Sequence, residues 1–201
     1  MELRDGRVAL VAPLYPDDRQ RYLSGFEKVS AESLYTRFLS PVERLSESQL
    51  RYLLEVDHRD HEALLAVDED RGDAVGVARF VRAATSPDLA EAAVLIADDW
   101  QGCGLGKALC RLLADRAREV GVARFEAMLF VENQAMLALL ESLGPVNKVS
   151  EDGSTIAVEV TLPEQGVGEH MTGVLRAVAA GDFELTTPAG GSEKPTSDRG
   201  A

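Results

Sequence analysis

Between Glu91 and Lys107 an apolar stretch, Glu91-Ala92-Ala93-Val94-Leu95-Ile96-Ala97, passes through a short turn into Gln101-Gly102-Cys103-Gly104-Leu105-Gly106-Lys107, where helical apolar spacing begins. No other segment restricts the fold as much. Closely spaced glycines let successive backbone N–H groups converge, and a helix N-terminus adds partial positive charge. A strand, turn and helix joined in this way can hold a phosphate or pyrophosphate on backbone alone. The plainer alternative is a strand-to-helix turn whose glycines serve steric needs only. A Rossmann fingerprint, G-x-G-x-x-G, does not fit, because Lys107 stands three residues after Gly104. A Walker A loop does not fit either: Gln101 occupies its first glycine and Ala108 follows the lysine.

A backbone cradle suits the charge of the chain. Lys+Arg number 21 against Asp+Glu 34, a net charge of −13, which repels nucleic acid and anionic membranes at long range. With 201 residues, 45% apolar and 27% charged, the chain can build one full core. It has no run of 18 apolar residues, and Met1-Glu2-Leu3-Arg4-Asp5 lacks the basic-then-apolar pattern of an export signal. Its two cysteines, Cys103 and Cys110, are too few for a disulfide scaffold or a zinc cage. Secreted, membrane-spanning and metal-ribbon proteins are set aside, and a cytoplasmic location is expected. The oligomeric state is not readable.

Two hydrophobic periods alternate along the chain. Arg7–Ala12 reads as a first strand. Helical spacing follows in Tyr22/Leu23/Phe26, Leu34/Tyr35/Phe38 and Leu50/Leu53/Leu54, the last opened by the capping box Ser46-x-x-Gln49. Ala63–Val67 and Ala74–Val81 form a hairpin around the acidic turn Asp68–Asp73, and Ala90–Ala97 is a further strand. A helix carries Leu105, Leu109, Leu112, Leu113 and Val120 up to Gly121, a strand covers Arg124–Val131, and Asn133 caps a helix with Met136, Leu139, Leu140 and Leu143. Val146–Ser150 and Thr155–Leu162 close the series. The order β, three helices, β, β, β, α, β, α, β, β predicts one mixed α/β domain over 1–162. A helical appendage over 163–184 and a disordered tail over 185–201 follow, the tail because Gly, Pro, Ser and Thr dominate it.

The run Ile96 to Gly106, with its [QR]-G-x-G-x-[GA] core, resembles the acetyl-CoA signature of the GNAT N-acetyltransferases. Asn133-Gln134-Ala135-Met136-Leu137-Ala138-Leu139-Leu140-Glu141-Ser142-Leu143-Gly144 is similar to their later N-x-x-A…L-x-x-x-L-G helix. A narrower likeness, to Pat-type protein lysine acetyltransferases, lies in Ser33-Leu34-Tyr35-x-Arg37-Phe38, Leu45-Ser46, Val56-Asp57-His58-x-Asp60 and Asp98-Asp99-Trp100-Gln101-Gly102. The resemblance implies a mostly antiparallel central sheet splayed after the fourth strand and flanked by helices. It implies acetyl-CoA as cosubstrate, with no metal, and an amine acceptor, a protein lysine in the Pat-like reading.

By that resemblance, Gln101, Gly102, Cys103, Gly104, Leu105, Gly106 and Lys107 hold the pyrophosphate, and the pantetheine arm lies along Val94, Leu95 and Ile96 like an added strand. Lys107 either lends charge or is solvated. Asn133 either contacts the cofactor or only caps its helix. An acceptor lysine titrates near ~10.4 and must lose a proton. Glu91 is the candidate base, as a glutamate on this strand is in the resembling families, with Glu126 and Asp88 in reserve. A backbone N–H near Val94–Leu95 is expected to meet the charge gathering on the thioester oxygen. Leu140 stands where many members carry a tyrosine acid, so proton delivery to the leaving thiolate falls to water or Ser142. His58 and His61 resemble a metal half-site without the rest, and a loop or strand-entry role is expected of them. Two other functions stay open: acetylation of a small amine, and a non-catalytic acyl-CoA-binding regulator that keeps the loop without turnover.

Overall fold

The computed structural model describes residues 1–163 and joins seven strands in one sheet. They are β1 (Ala9–Pro13), β2 (His61–Asp68), β3 (Ala74–Ala83), β4 (Ser86–Ile96), β5 (Arg124–Phe130), β6 (Val146–Asp152) and β7 (Thr155–Thr161). Across the sheet the order is β1-β2-β3-β4-β5-β7-β6. Helices α1 (Arg19–Phe26), α2 (Ala31–Phe38) and α3 (Glu47–Leu54) lie between the first two strands, α4 (Leu105–Glu119) follows β4, and α5 (Gln134–Glu141) follows β5. The element order is the one that the two periods predict. The predicted appendage and tail, 163–184 and 185–201, lie outside the described residues apart from residue 163.

Local chemistry explains the ends. Ser46 and Gln49 exchange bonds at the head of α3, with Gln49 N donating to Ser46 Oγ at 3.3 Å and Ser46 N donating to Gln49 Oε1 at 2.8 Å. Asn133 caps α5, its Oδ1 accepting from Met136 N at 3.0 Å. Most strand ends shift by one or two residues from the sequence reading, and two departures have a clear cause. β1 begins two residues later than predicted and ends one later, on Pro13, which an edge strand tolerates because one side owes no ladder bond. β4 begins at Ser86, not Ala90; Pro87 and Asp88 look like turn residues, but the Arg82 side chain donates to the Pro87 carbonyl and holds the segment extended.

The sheet divides the core in two. On one face α4 and α5 bury Leu105, Leu109, Leu113 and Leu140 against Phe80, Phe125 and Leu129. On the other, α1 to α3 bury Tyr22, Phe26, Leu34, Leu50, Leu53 and Leu54 against Leu65, Val77 and Leu95. β2 and β3 are therefore covered on both sides, and their sequences read as near-continuous apolar runs. Gly76 lets α4 lie close, since a Cβ there would sit 2.9 Å from Ile96 Cδ1 and 3.1 Å from Leu109 Cδ1.

All neighbouring strands are antiparallel except β4 and β5, which pair in parallel. That pairing lasts only from Leu89–Glu91 to Arg124–Glu126. Beyond Glu91 the strands diverge: β4 continues against β3 up to Ile96, and β5 continues against β7. The expected splay after the fourth strand is present.

Candidate active site

The glycine-rich loop meets the requirements of an anion cradle. Gly102 and Gly104 take φ of +74° and +101°, conformations that an L side chain rarely adopts. Ala108 N makes the first bond of α4, to Gly104 O at 3.1 Å, and none of the N–H groups from Gly102 to Lys107 finds an acceptor among the described residues. Such a row of free donors at a helix start favours a polyanion. Lys107 sits half-buried in the first turn, and Gly106 has a packing task as well, since a Cβ there would lie 3.2 Å from Leu139 of α5. The buried Cys103 side chain turns inward, its thiol donating to Trp100 O at 2.8 Å, so any contact from Cys103 to a ligand falls to its backbone.

Two braces hold the loop. From outside, Arg4 N donates to Cys103 O at 3.2 Å, and the Arg7 guanidinium lies 4.1 Å from the centre of the Trp100 ring. From the helical side, Asp98 accepts from Ser30 N at 3.1 Å and from Ser33 Oγ at 2.9 Å. Gln101 Nε2 donates to Asp98, to Ser33 and to Ile96 O, each at 3.2–3.3 Å. The carboxylate of Asp98 thus ties the head of α2, itself capped by Ser30, to the loop. Sequence reading noted Ser33 and Asp98 in separate motifs and missed that they touch; only the fold brings residues 65 apart into one network.

The divergence of β4 from β5 leaves the β4 edge from Ala92 to Ile96 without a strand partner on the β5 side among the described residues. Val94, Leu95 and Ile96 lie on this edge, with Val94 and Ile96 packed toward α4 and α5 and Leu95 toward the helices of the other face. Free backbone groups along an open edge can accept an extended, amide-bearing chain. Glu91 occupies the point of divergence, exposed, and lines a cleft of about 360 Å³ beneath α2 and α3. Leu45, Ser48, Gln49 and Tyr52 close one side of that cleft; Arg79, Val81 and Ala93 form its floor. A second hollow near Gly25 and Phe26, about 20 Å³, is too small for a substrate.

The other predicted residues sort clearly. Glu126 stands in register beside Glu91. Asp88 is engaged with Arg124 at 3.0 Å, and the Arg124 hydrogen bond holds its carboxyl below the usual range, which suits an ion pair better than a base. Leu140 is buried in the α4–α5 core, and Ser142 Oγ donates to Leu139 O at 2.7 Å. His58 pairs through Nδ1 with the buried Glu62 at 2.7 Å, whereas His61 faces Arg79 at 3.2 Å; different partners hold the two rings. Sequence reading missed Arg79. Its one signal was a lone charge inside the apolar run Ala74–Val81.

A comparison with protein families settles the kinship: the profile of the Acetyltransferase (GNAT) family matches residues 29–144. The chain belongs to that family. Membership makes it a GNAT acetyltransferase domain, a fold that uses acetyl-CoA. Acetyltransferase Pat of Mycolicibacterium smegmatis is 37% identical over 163 residues, covering 81% of the GNAT chain but 48% of that relative, so the chain spans about half its length. Acetyltransferase PA5475 of Pseudomonas aeruginosa is 34% identical over 155 residues, 76% of the chain and 83% of the relative. The crystal structure of the GNAT domain of S. lividans PAT superposes with a TM-score of 0.74 at 34% identity, over 81% of the chain and 95% of that domain. The Salmonella typhimurium protein yncA, solved with its cofactor acetyl-CoA, shares the fold at a TM-score of 0.58 and 20% identity, over 79% of the chain and 96% of its own. The donor-rich loop and the open β4 edge fit that cofactor.

Proposed function

We propose that the GNAT chain transfers acetyl from acetyl-CoA to lysine side chains of proteins, in the cytoplasm, by direct attack of the amine within a ternary complex. The observation that carries this reading is the position of Glu91, where the open β4 edge meets the cleft beneath α2 and α3. Acetyl-CoA supplies an activated thioester carbonyl. The N–H groups of Gly102 to Lys107 hold its pyrophosphate, and the edge at Val94–Ile96 aligns its arm and offers a backbone donor to the thioester oxygen. Glu91 takes the proton of the acceptor ammonium, directly or through water, so that a neutral nitrogen attacks. Leu140 supplies no acid, and a thiol with an ordinary value near ~8.5 leaves as the anion or takes a proton from water. Ser142 gives its proton to a backbone carbonyl and is less suited to the task.

Protein lysine as acceptor is supported by the Pat-like motifs, three of which meet in the Ser33–Asp98–Gln101 network and in the cleft wall at Arg37, Phe38 and Leu45. The test is transfer of isotope-labelled acetyl from acetyl-CoA to a bacterial lysate and, separately, to a panel of small amines. Label on protein lysines with little small-amine turnover is expected. Label on small amines alone would replace the protein acceptor, and no label with acetyl-CoA still bound would make the chain an acyl-CoA-binding regulator.

A further inference from the structure

The cleft at Glu91 contains an imbalance of charge that acetyl transfer to a plain amine leaves unexplained. Among the described residues, three charged side chains line it: Arg37, Arg79 and Glu91. Arg79 is 5% exposed, and its partners are neutral: Nη1 donates to Leu53 O at 3.1 Å and lies 3.2 Å from His61 Nε2. Burial and the charge of Arg79 depress His61 to about 4, so the imidazole is an uncharged acceptor at neutral pH. The other side chains acting on Arg79 are the hydroxyl-bearing Tyr22 and Tyr52, and no carboxylate lies against it among the described residues. The buried Nη2 of Arg79 has no hydrogen-bond partner at all among the described residues. Arg37, stacked over the Phe38 ring at 5.0 Å, has no hydrogen bond or ion pair among the described residues.

A buried guanidinium without a carboxylate is unfavourable, and a second, half-buried one lining the same cleft makes it more so. Burial, then repulsion by Arg79, pulls Arg37 below its ordinary value, while Glu91 offsets part of this. An acceptor ammonium would enter as a third cation beside a single carboxylate. A carboxylate carried by the acceptor resolves both problems, because it matches the planar fork of arginine and cancels the excess charge. Resting on the acetyltransferase reading above, we propose that Arg37 and Arg79 form a carboxylate-binding subsite in the acceptor cleft, and that the preferred acceptor is an amine bearing a carboxylate close to the reacting nitrogen. In a protein acceptor the group is an acidic side chain near the lysine; in a small acceptor it is the carboxylate of an amino acid.

The test compares acceptors that differ in one group. Nα-acetyl-lysine carries a free carboxylate and Nα-acetyl-lysinamide does not; a lysine peptide flanked by glutamate is paired likewise with one flanked by glutamine. Thiol release from acetyl-CoA gives KM for each. The carboxylate member of at least one pair should show a KM lower by about tenfold, roughly one charge-assisted bond. Its advantage should fall to near one in Arg79→Gln and shrink in Arg37→Gln, the second variant altering a helix face and sparing the strand should the first not fold. An advantage confined to the peptides assigns the subsite to protein side chains, and one confined to acetyl-lysine assigns it to small acceptors. Equal KM values within both pairs would overturn the proposal. Absence of turnover with every acceptor would defeat the acetyltransferase reading, and calorimetric titration with glutarate then decides the subsite alone. Heat of binding that disappears in Arg79→Gln supports it; no binding to the unaltered chain refutes it.

Discussion

Glu91 of β4 and Glu126 of β5 stand side by side as the last registered pair before the two strands part. Only the first of them lines the cleft. Glu91→Gln should lower kcat by about 10²–10⁴-fold, the usual worth of a positioned base, with affinity for acetyl-CoA unchanged. Glu126→Gln should lower it less than tenfold. Steady-state rates with calorimetric acetyl-CoA titrations check this, and loss of cofactor binding in Glu91→Gln would remove Glu91 from the role of base.

Asp98→Ala removes the acceptor for Ser30 N, Ser33 Oγ and Gln101 Nε2 together. We expect a loss of about 2 kcal/mol in urea denaturation. The loop loses its anchor as well, so KM for acetyl-CoA should rise although Asp98 lies outside the glycine-rich run. A stability loss with an unaltered KM would show that the loop is held by Arg4 and Arg7 alone.

His61 gives the fold a dependence on pH. Burial, followed by the charge of Arg79, lowers it from 6.5 to about 4, so the unfolded chain takes up a proton that the folded chain refuses. The stability linked to neutral His61 is fully present above about pH 6.5 and is lost as pH falls toward 4. Urea midpoints should therefore drop more between pH 7 and pH 4.5 in the unaltered chain than in His61→Gln, whose side-chain oxygen can still accept from Arg79. Equal drops would mean that His61 titrates freely.

Two glycines should respond differently to alanine. At Gly144 a Cβ would lie 2.2 Å from Thr161 O, a backbone atom that cannot step aside, and Gly144→Ala should destabilise by about 3 kcal/mol. At Gly153, with φ of +60° and nothing within 4 Å, only backbone strain of about 1 kcal/mol is expected. Thermal and urea denaturation of both variants separate close packing from conformational preference.

Features set by neighbours in the chain were legible in the sequence. The capping box at Ser46, the hairpin around Asp68–Asp73 and the glycines at 102 and 104 each depend on residues a few positions apart, and each is found where it was expected. The β4 start was misread because Pro87 and Asp88 obey turn rules locally, while the Arg82 side chain that extends them comes from another strand. Arg79 was hidden for a related reason. An arginine in a strand gives no sign of whether it meets solvent, a carboxylate or a neutral imidazole until α3 and His61 are placed against it. Likewise Ser33 and Asp98 are ordinary polar residues until the fold joins them.

The short parallel ladder of Leu89–Glu91 with Arg124–Glu126 has a mechanical consequence. Most sheets keep their raw edges at the periphery; this one carries a pair of them in its middle, facing each other across a notch. The two leaves of the sheet are stitched by three registered pairs at one end and, further along, by whatever the notch contains. A guest that bonds to the β4 edge completes the fabric, so binding and cohesion become one quantity. Amide hydrogen exchange along Ala92–Ile96 should slow when acetyl-CoA is added, and the whole chain should melt at a higher temperature, with the enzyme at its most solid at the moment it is loaded.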